Sequence, residues 1–227
     1  MEGRMLVHLR LLPLLFLGAL AACSGCSEVA TLRVEQGSGP NPELPPPKKT
    51  LVPTLKIAPA VRWAPGKAPT PAPGLAVGAF ARDLDRPRWL HVLPNGDVLV
   101  AESNAPERPE QGKGLRGKLQ KYFMKKAGAV TPSANRITLL RDADGDGVAE
   151  TKTAFLQELM SPFGMVLVGD TLYVANADAV VAFPYQTGQI QITAAPRQIA
   201  DLPAGRNHHW TKSLVASADG RVRRRTP

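Results

Sequence analysis

Two short stretches hold most of the side chains able to do chemistry. In Asp142-Ala143-Asp144-Gly145-Asp146-Gly147, three carboxylates alternate with small residues. That spacing lets all three converge on one hard cation, as in the first half of a calcium-binding loop. A complete EF-hand would place a bidentate Glu at the twelfth position, where this chain has Thr153. Glu150 can stand in, which makes Asp142, Asp144, Asp146 and Glu150 the metal-ligand candidates. The same residues would serve equally as an acidic turn between two strands. If a cation binds there, its role is structural rather than catalytic.

The second stretch is Asn207-His208-His209-Trp210-Thr211-Lys212. Adjacent histidines on an extended segment point to opposite faces, so a single metal does not readily take both. One of them facing a pocket would be suited to take a proton near neutral pH. By itself the pair serves packing as readily as catalysis. The chain carries no Gly-x-Ser-x-Gly elbow, no nucleotide-binding Gly-rich loop and no His/Cys spacing of a zinc site.

The elements that must position these residues are strands. Leu90 to Glu102 reads as two apolar runs around Pro94-Asn95-Gly96-Asp97, and Asn-Gly between β-formers is a strong hairpin signal. Met165 to Val174 repeats the pattern about Gly169-Asp170. Further strands are expected at Val180 to Tyr185 and Ile190 to Thr193, and Ser213 to Gly220 begins a third copy. Leu115 to Ala127 is the best helical candidate, within a loop insertion. Pro87 and Pro162 each lead a copy, 75 residues apart. Short antiparallel sheets recurring in this way suggest an all-β chain forming a β-propeller, one blade per repeat. A β-sandwich is the structural alternative.

The N-terminus is an address. Arg4 and Arg10 precede Leu11 to Leu20, an apolar run of ten residues that is too short to span a bilayer. Leu20-Ala21-Ala22-Cys23 then matches a lipobox, so residues 1–22 are expected to be a lipoprotein signal and Cys23 the lipidated N-terminus. Ser24 gives no inner-membrane retention signal, which favours an outer-membrane anchor on the periplasmic side. From residue 23 to residue 74 a Pro-rich stretch, with Pro45-Pro46-Pro47 inside it, suits a disordered linker or stalk. Cys26 is the one other cysteine, so no internal disulfide frame is expected.

The net charge of +9 does not indicate nucleic-acid binding. Four of the positive charges sit in the last seven residues, and no basic stripe interleaved with aromatics appears. Lys113 to Lys126 is locally basic and reads as a solvated loop.

Four stretches resemble the sorbosone dehydrogenase family, relatives of the soluble aldose dehydrogenases that use pyrroloquinoline quinone (PQQ). They are residues 81–104, 135–156, 162–185 and 201–220, in family order. The resemblance implies a six-bladed propeller with PQQ at its axial mouth and a calcium ion polarising the quinone. It implies His209 as the base that takes a proton from a sugar hydroxyl or aldehyde hydrate while hydride passes to the quinone. It also implies that His209 and Arg88 contact the cofactor, and that a periplasmic acceptor such as a cytochrome takes the electrons. The calcium beside the quinone would be held later in the chain, not by the Asp142 loop.

After Asp219-Gly220 the family pattern continues with an apolar strand, whereas this chain reads Arg221-Val222-Arg223-Arg224-Arg225-Thr226-Pro227. That is a poor strand composition. The expectation is a partial propeller of two to three blades with an atypical Arg-rich tail at 221–227, inactive as a truncated chain. Two other readings stand beside the dehydrogenase. One is a calcium-stabilised binding module without catalysis at the cell envelope, and the other is a lactonase-type propeller hydrolase.

Overall fold

The structure is a computed structural model that describes residues 32–43, 46, 58–59, 61, 63–106, 114–204 and 209–225. Cys23, Cys26, Asn207 and His208 lie outside the described residues, as do residues 1–22, where a lipoprotein signal is expected. The chain divides into two compact units, Met1–Pro59 and Ala60–Pro227. In the first, the described residues 32–43 make turns, with Gln36 bonded to the Arg33 amide and to Glu43. Among the described residues, no helix is long and apolar enough to cross a membrane.

The second unit is built from strands laid down in chain order. β1 (Pro87–Val92), β2 (Val98–Glu102), β3 (Arg136–Arg141) and β4 (Thr151–Leu156) form one antiparallel sheet, each strand beside its sequence neighbour. β5 (Met165–Val168), β6 (Thr171–Ala175), β7 (Ala179–Pro184) and β8 (Arg197–Asp201) repeat the same meander. β9 (Ser213–Ala216) and β10 (Val222–Arg225) begin a third sheet. β5 lies beside both β1 and β9, so the first strands of the three sheets are neighbours. Consecutive four-strand meanders with adjacent first strands are the arrangement of propeller blades around an axis. One helix, α1 (Gly114–Lys126), interrupts the connection between β2 and β3.

Strand alternation explains how the blades stack. On the face of the first blade turned to the second, Leu99, Ala101, Ile137, Leu139 and Phe155 are fully buried. They meet Met165, Leu172, Val174, Val181 and Phe183 from the second blade. The residues in between, Val166, Tyr173, Ala175 and Val180, point the other way and pack with Leu214 and Val222 of the third sheet. Each fully buried Leu or Phe contributes about 1.5–3 kcal/mol. On its outer face the first blade buries a carboxylate instead. Glu102 takes Arg136 Nε at 2.9 Å and Nη2 at 3.0 Å, and also accepts from the Thr138 hydroxyl and the Asp85 amide.

Both blades are entered in the same unusual way. Arg86 (φ 55°) and Ser161 (φ 47°) are non-glycine residues in the left-handed region, each directly before a proline. Such backbone costs about 1–2 kcal/mol per residue. The third and fourth strands also slip register at matching places, between Ile137 and Thr138 and between Val180 and Val181.

Several expectations need correction. Residues 190–193 are not a strand: Ile192 instead drops into the core, its amide bonded to the Phe155 carbonyl at 3.0 Å, and the fourth strand forms later as β8. Val222–Arg225, unpromising by composition, is a strand, because Val222 packs beside Leu214 while Arg223 and Arg224 face solvent. The 75-residue offset is not the blade period. The β2–β3 connection takes residues 103–135, whereas the β6–β7 connection takes only 176–178. Pro162-Phe163 and His209-Trp210, which open the next two sheets, are 47 residues apart.

Candidate functional site

The sheets run so that the start of β1, the end of β2 and the start of β3 share one rim, together with the β6–β7 turn and residues 209–212. Arg88 stands at this rim, held by its neighbours. Its Nε donates to the Ser103 carbonyl at 3.2 Å and its Nη2 to Asn104 Oδ1 at 3.3 Å. Asn104 is itself fixed, because its side-chain amide donates to the carbonyls of Ala129 and Thr131 and its backbone amide to Ser133 Oγ. The guanidinium stacks over Trp210, 5.7 Å from the ring centroid. Two of its nitrogens are thus occupied while the residue remains solvent-exposed, leaving donors for a carboxylate.

Aromatic rings continue from Trp210 across the rim. Phe163 meets Trp210 edge-on at 6.2 Å and Trp89 at 5.1 Å. One ring therefore comes from the opening of each sheet.

His209 precedes Trp210 and is exposed. Its segment is pinned from two sides. Lys212 Nζ donates to the His209 carbonyl at 2.6 Å, and the Lys212 carbonyl accepts from the Gly164 amide at 2.9 Å. A side chain at Gly164 would meet the Lys212 oxygen and Leu214 nitrogen, each at 2.6 Å, so glycine is required for the second and third sheets to come this close. Lys212 is buried with no carboxylate partner among the described residues, and burial, assisted by the charge of Arg224, pushes its ammonium below the ordinary lysine range. Ser161 Oγ and Asn176 Oδ1, both buried at the same rim, have no hydrogen-bond partner among the described residues. The Ser103 hydroxyl ties the first blade to the second through the Pro162 carbonyl at 2.6 Å.

Asp142, Asp144, Asp146 and Glu150 do come together, with one oxygen of each within 4.8 Å of the others. They occupy the turn after β3, at the end of the strand away from Arg88. With the length of β3 between them, about 17 Å at ~3.3 Å per residue, this loop does not reach the rim. Its carboxylates are oriented by backbone amides: Asp142 accepts from Gly145 and Gly147, Asp144 from Asp146, Asp146 from Val148, and Glu150 from Ala143. The Gly147 and Gly145 amides hold the Asp142 carboxyl below the usual range.

The structure therefore brings Arg88 and the His209 segment to one place and sets the acidic loop apart. Asn104, Phe163 and Gly164 were not singled out from the sequence, and Lys212 was named only as the end of the Asn207–Lys212 stretch. Asn104 follows a strand that ends in charge, and only the fold shows that its amide steers Arg88. Gly164 could have been suspected from its place between an aromatic residue and a strand of branched residues.

These features define the class: consecutive blades of a β-propeller whose shared rim carries a fixed guanidinium, a histidine and a row of aromatic rings. Within that class, the chain belongs to the family of a domain of unknown function (DUF7133), whose pattern matches residues 80–223. No curated protein matches the sequence. Among solved structures, the chain is similar to the holo form of the pyranose dehydrogenase PQQ domain from Coprinopsis cinerea, at 15% identity with a TM-score of 0.42. It is also similar to a carbohydrate-active enzyme of family AA12 from Trichoderma reesei, at 16% identity with a TM-score of 0.40. Each alignment covers 62% of this chain, and it spans only 27% and 29% of those chains respectively.

Proposed function

We propose that this chain forms part of a quinone-dependent dehydrogenase acting on a sugar or sugar aldehyde, with PQQ held at the rim by Arg88 and the His209 segment. The observation that carries the reading is the guanidinium of Arg88, fixed by Ser103 and Asn104 and stacked on Trp210. A planar, carboxylate-bearing cofactor fits this rim, because it needs a fork of donors and flat apolar surfaces. When bound, PQQ supplies the hydride acceptor. The protein's own residues bind and orient. Arg88 takes a carboxylate, Trp210 and Phe163 bound the plane, and His209 accepts the proton released by a substrate hydroxyl.

The sequence resemblance to sorbosone and aldose dehydrogenases supports the substrate class, and a periplasmic acceptor such as a cytochrome would complete the cycle. Cys23 would carry the lipid that holds the protein at the periplasmic face of the outer membrane. A calcium ion in the Asp142–Glu150 loop would brace the first blade and take no part in the reaction.

Equilibrium binding of PQQ to the purified chain tests the proposal. Binding is expected to weaken at least tenfold in Arg88→Ala and to be largely retained in His209→Gln, whose assigned role is the substrate proton rather than the hold on the cofactor. PQQ binding that is absent, or equal in Arg88→Ala and the wild type, would overturn the assignment.

A further inference from the structure

At the end of the first blade away from Arg88, the β1–β2 turn carries Asn95-Gly96, the one Asn-Gly pair in the chain. This pair does more than reverse the strand. Asn95 Nδ2 donates to Asp97 Oδ2 at 2.8 Å, and the same oxygen takes Arg141 Nη2 at 2.8 Å. Arg141 Nε holds the other oxygen, Oδ1, at 2.7 Å. Asp97 is buried, so its charge depends on these donors. Arg141 Nη2 also donates to the Gly188 carbonyl at 3.0 Å, in the β7–β8 connection of the second blade. A relay thus runs from the exposed Asn95 through a buried carboxylate to the neighbouring blade.

We propose that Asn95 is a site of spontaneous deamidation, and that the product severs this relay between the first two blades. Glycine carries no Cβ to hinder its own nitrogen, and a Cβ built at Gly96 would meet nothing within 4 Å, so the approach is open. The Gly96 backbone nitrogen, its proton taken by solvent base, attacks Asn95 Cγ. The Cγ–Nδ2 bond breaks, ammonia leaves with a proton returned from solvent, and a five-membered succinimide remains. Water then opens that ring at either carbonyl, giving aspartate or isoaspartate, with no oxidation or reduction. The Gly96 amide donates to the Leu93 carbonyl at 2.9 Å, so the reaction proceeds from brief openings of the turn and runs slower in the folded chain than in the unfolded one. Aspartate at this place turns a donor facing Asp97 into a second carboxylate. Two like charges then share one guanidinium, which is drawn away from Gly188. Isoaspartate adds a backbone atom to the turn that sets the β1–β2 register. The proposal does not rest on the quinone reading, because this turn and the rim lie at opposite ends of β1.

The test keeps the full chain folded in warm, mildly alkaline buffer and follows its peptides by mass spectrometry, with isoaspartyl methyltransferase marking isoaspartate. Asn95 is expected to gain one mass unit before Asn104, Asn135 or Asn176, none of which precedes a glycine. The aged protein, resolved by ion exchange, and the Asn95→Asp variant should both exchange the amides of β1, β2 and residues 185–189 faster than the wild type. The expected factor is roughly tenfold, as for losing a hydrogen bond to a charged group. In an Asp97→Asn background, which removes the like charge, Asn95→Asp should add little further. Another of these asparagines reacting first in the folded chain, unchanged exchange in the aged protein, or an equal effect of Asn95→Asp with and without Asp97 would each overturn the proposal.

Discussion

Gly164→Ala is the sharpest perturbation of the junction between the second and third sheets. The glycine is not in the left-handed region, so its backbone conformation accepts alanine, and such a change would ordinarily stabilise by about 0.4–1 kcal/mol through the unfolded chain. Here the new methyl would lie 2.6 Å from the Leu214 nitrogen, 2.6 Å from the Lys212 oxygen and 2.8 Å from the Ser213 Cα. All three are backbone atoms of β9 or its approach, which no rotamer change can move aside. Relief requires the sheets to separate, stretching the Gly164–Lys212 hydrogen bond and loosening Leu214 from Ala175 and Val180. Overpacking of this kind costs about 1–3 kcal/mol. The net expectation is destabilisation by about 1–2 kcal/mol, the clash outweighing the entropic gain. Denaturant unfolding followed by tryptophan fluorescence measures it, and Trp210 should report the displacement in the folded state. Gly78→Ala, where an added methyl meets nothing within 4 Å, is the control and should be near neutral. A Gly164→Ala protein as stable as the wild type, with unchanged Trp210 emission, would refute the close approach of the two sheets.

Other outcomes follow from the same structure. Phe155→Ala empties the centre of the interface between the first two blades and should cost about 3–5 kcal/mol by denaturant melts. Burial alone would raise the Glu102 carboxyl, but bonds from Arg136, Thr138 and the Asp85 amide reverse this and hold it below its ordinary 4.5; Arg141 lowers Asp97 likewise. A depressed carboxyl contributes stability that is present above its unfolded pKa and lost as pH falls through the folded one. Melting temperature should therefore drop below about pH 4, and Glu102→Gln, itself less stable at neutral pH, should flatten that drop. Ser161→Gly relieves a left-handed serine and should stabilise by about 0.5–1 kcal/mol in the same assay. Calorimetry with calcium should show a heat of binding that disappears in Asp142→Asn with Asp146→Asn.

The hairpins were legible because their turns are local: Asn95-Gly96 and Gly169-Asp170 set the register of the strands that flank them. Ile192 misled because a short apolar run reads alike whether it pairs as a strand or inserts as a single anchor. Val222–Arg225 misled because composition says nothing of a partner strand already waiting at Ser213–Ala216. At the rim, Arg88 and His209 were named from resemblance. What aims Arg88 was not legible, because Asn104 and the carbonyls of Ala129 and Thr131 meet across 25 and 27 residues of chain.

That contact across the connection has an engineering consequence. The second blade joins its middle strands through Asn176 to Asp178 alone, so the first blade could in principle accept the same short turn. Such a graft would leave the strand pairing intact but would delete the carbonyls that clamp Asn104, freeing the guanidinium of Arg88 to swing. The long connection is thus an accessory to the sheet and a part of the rim, and the two blades differ in equipment more than in architecture.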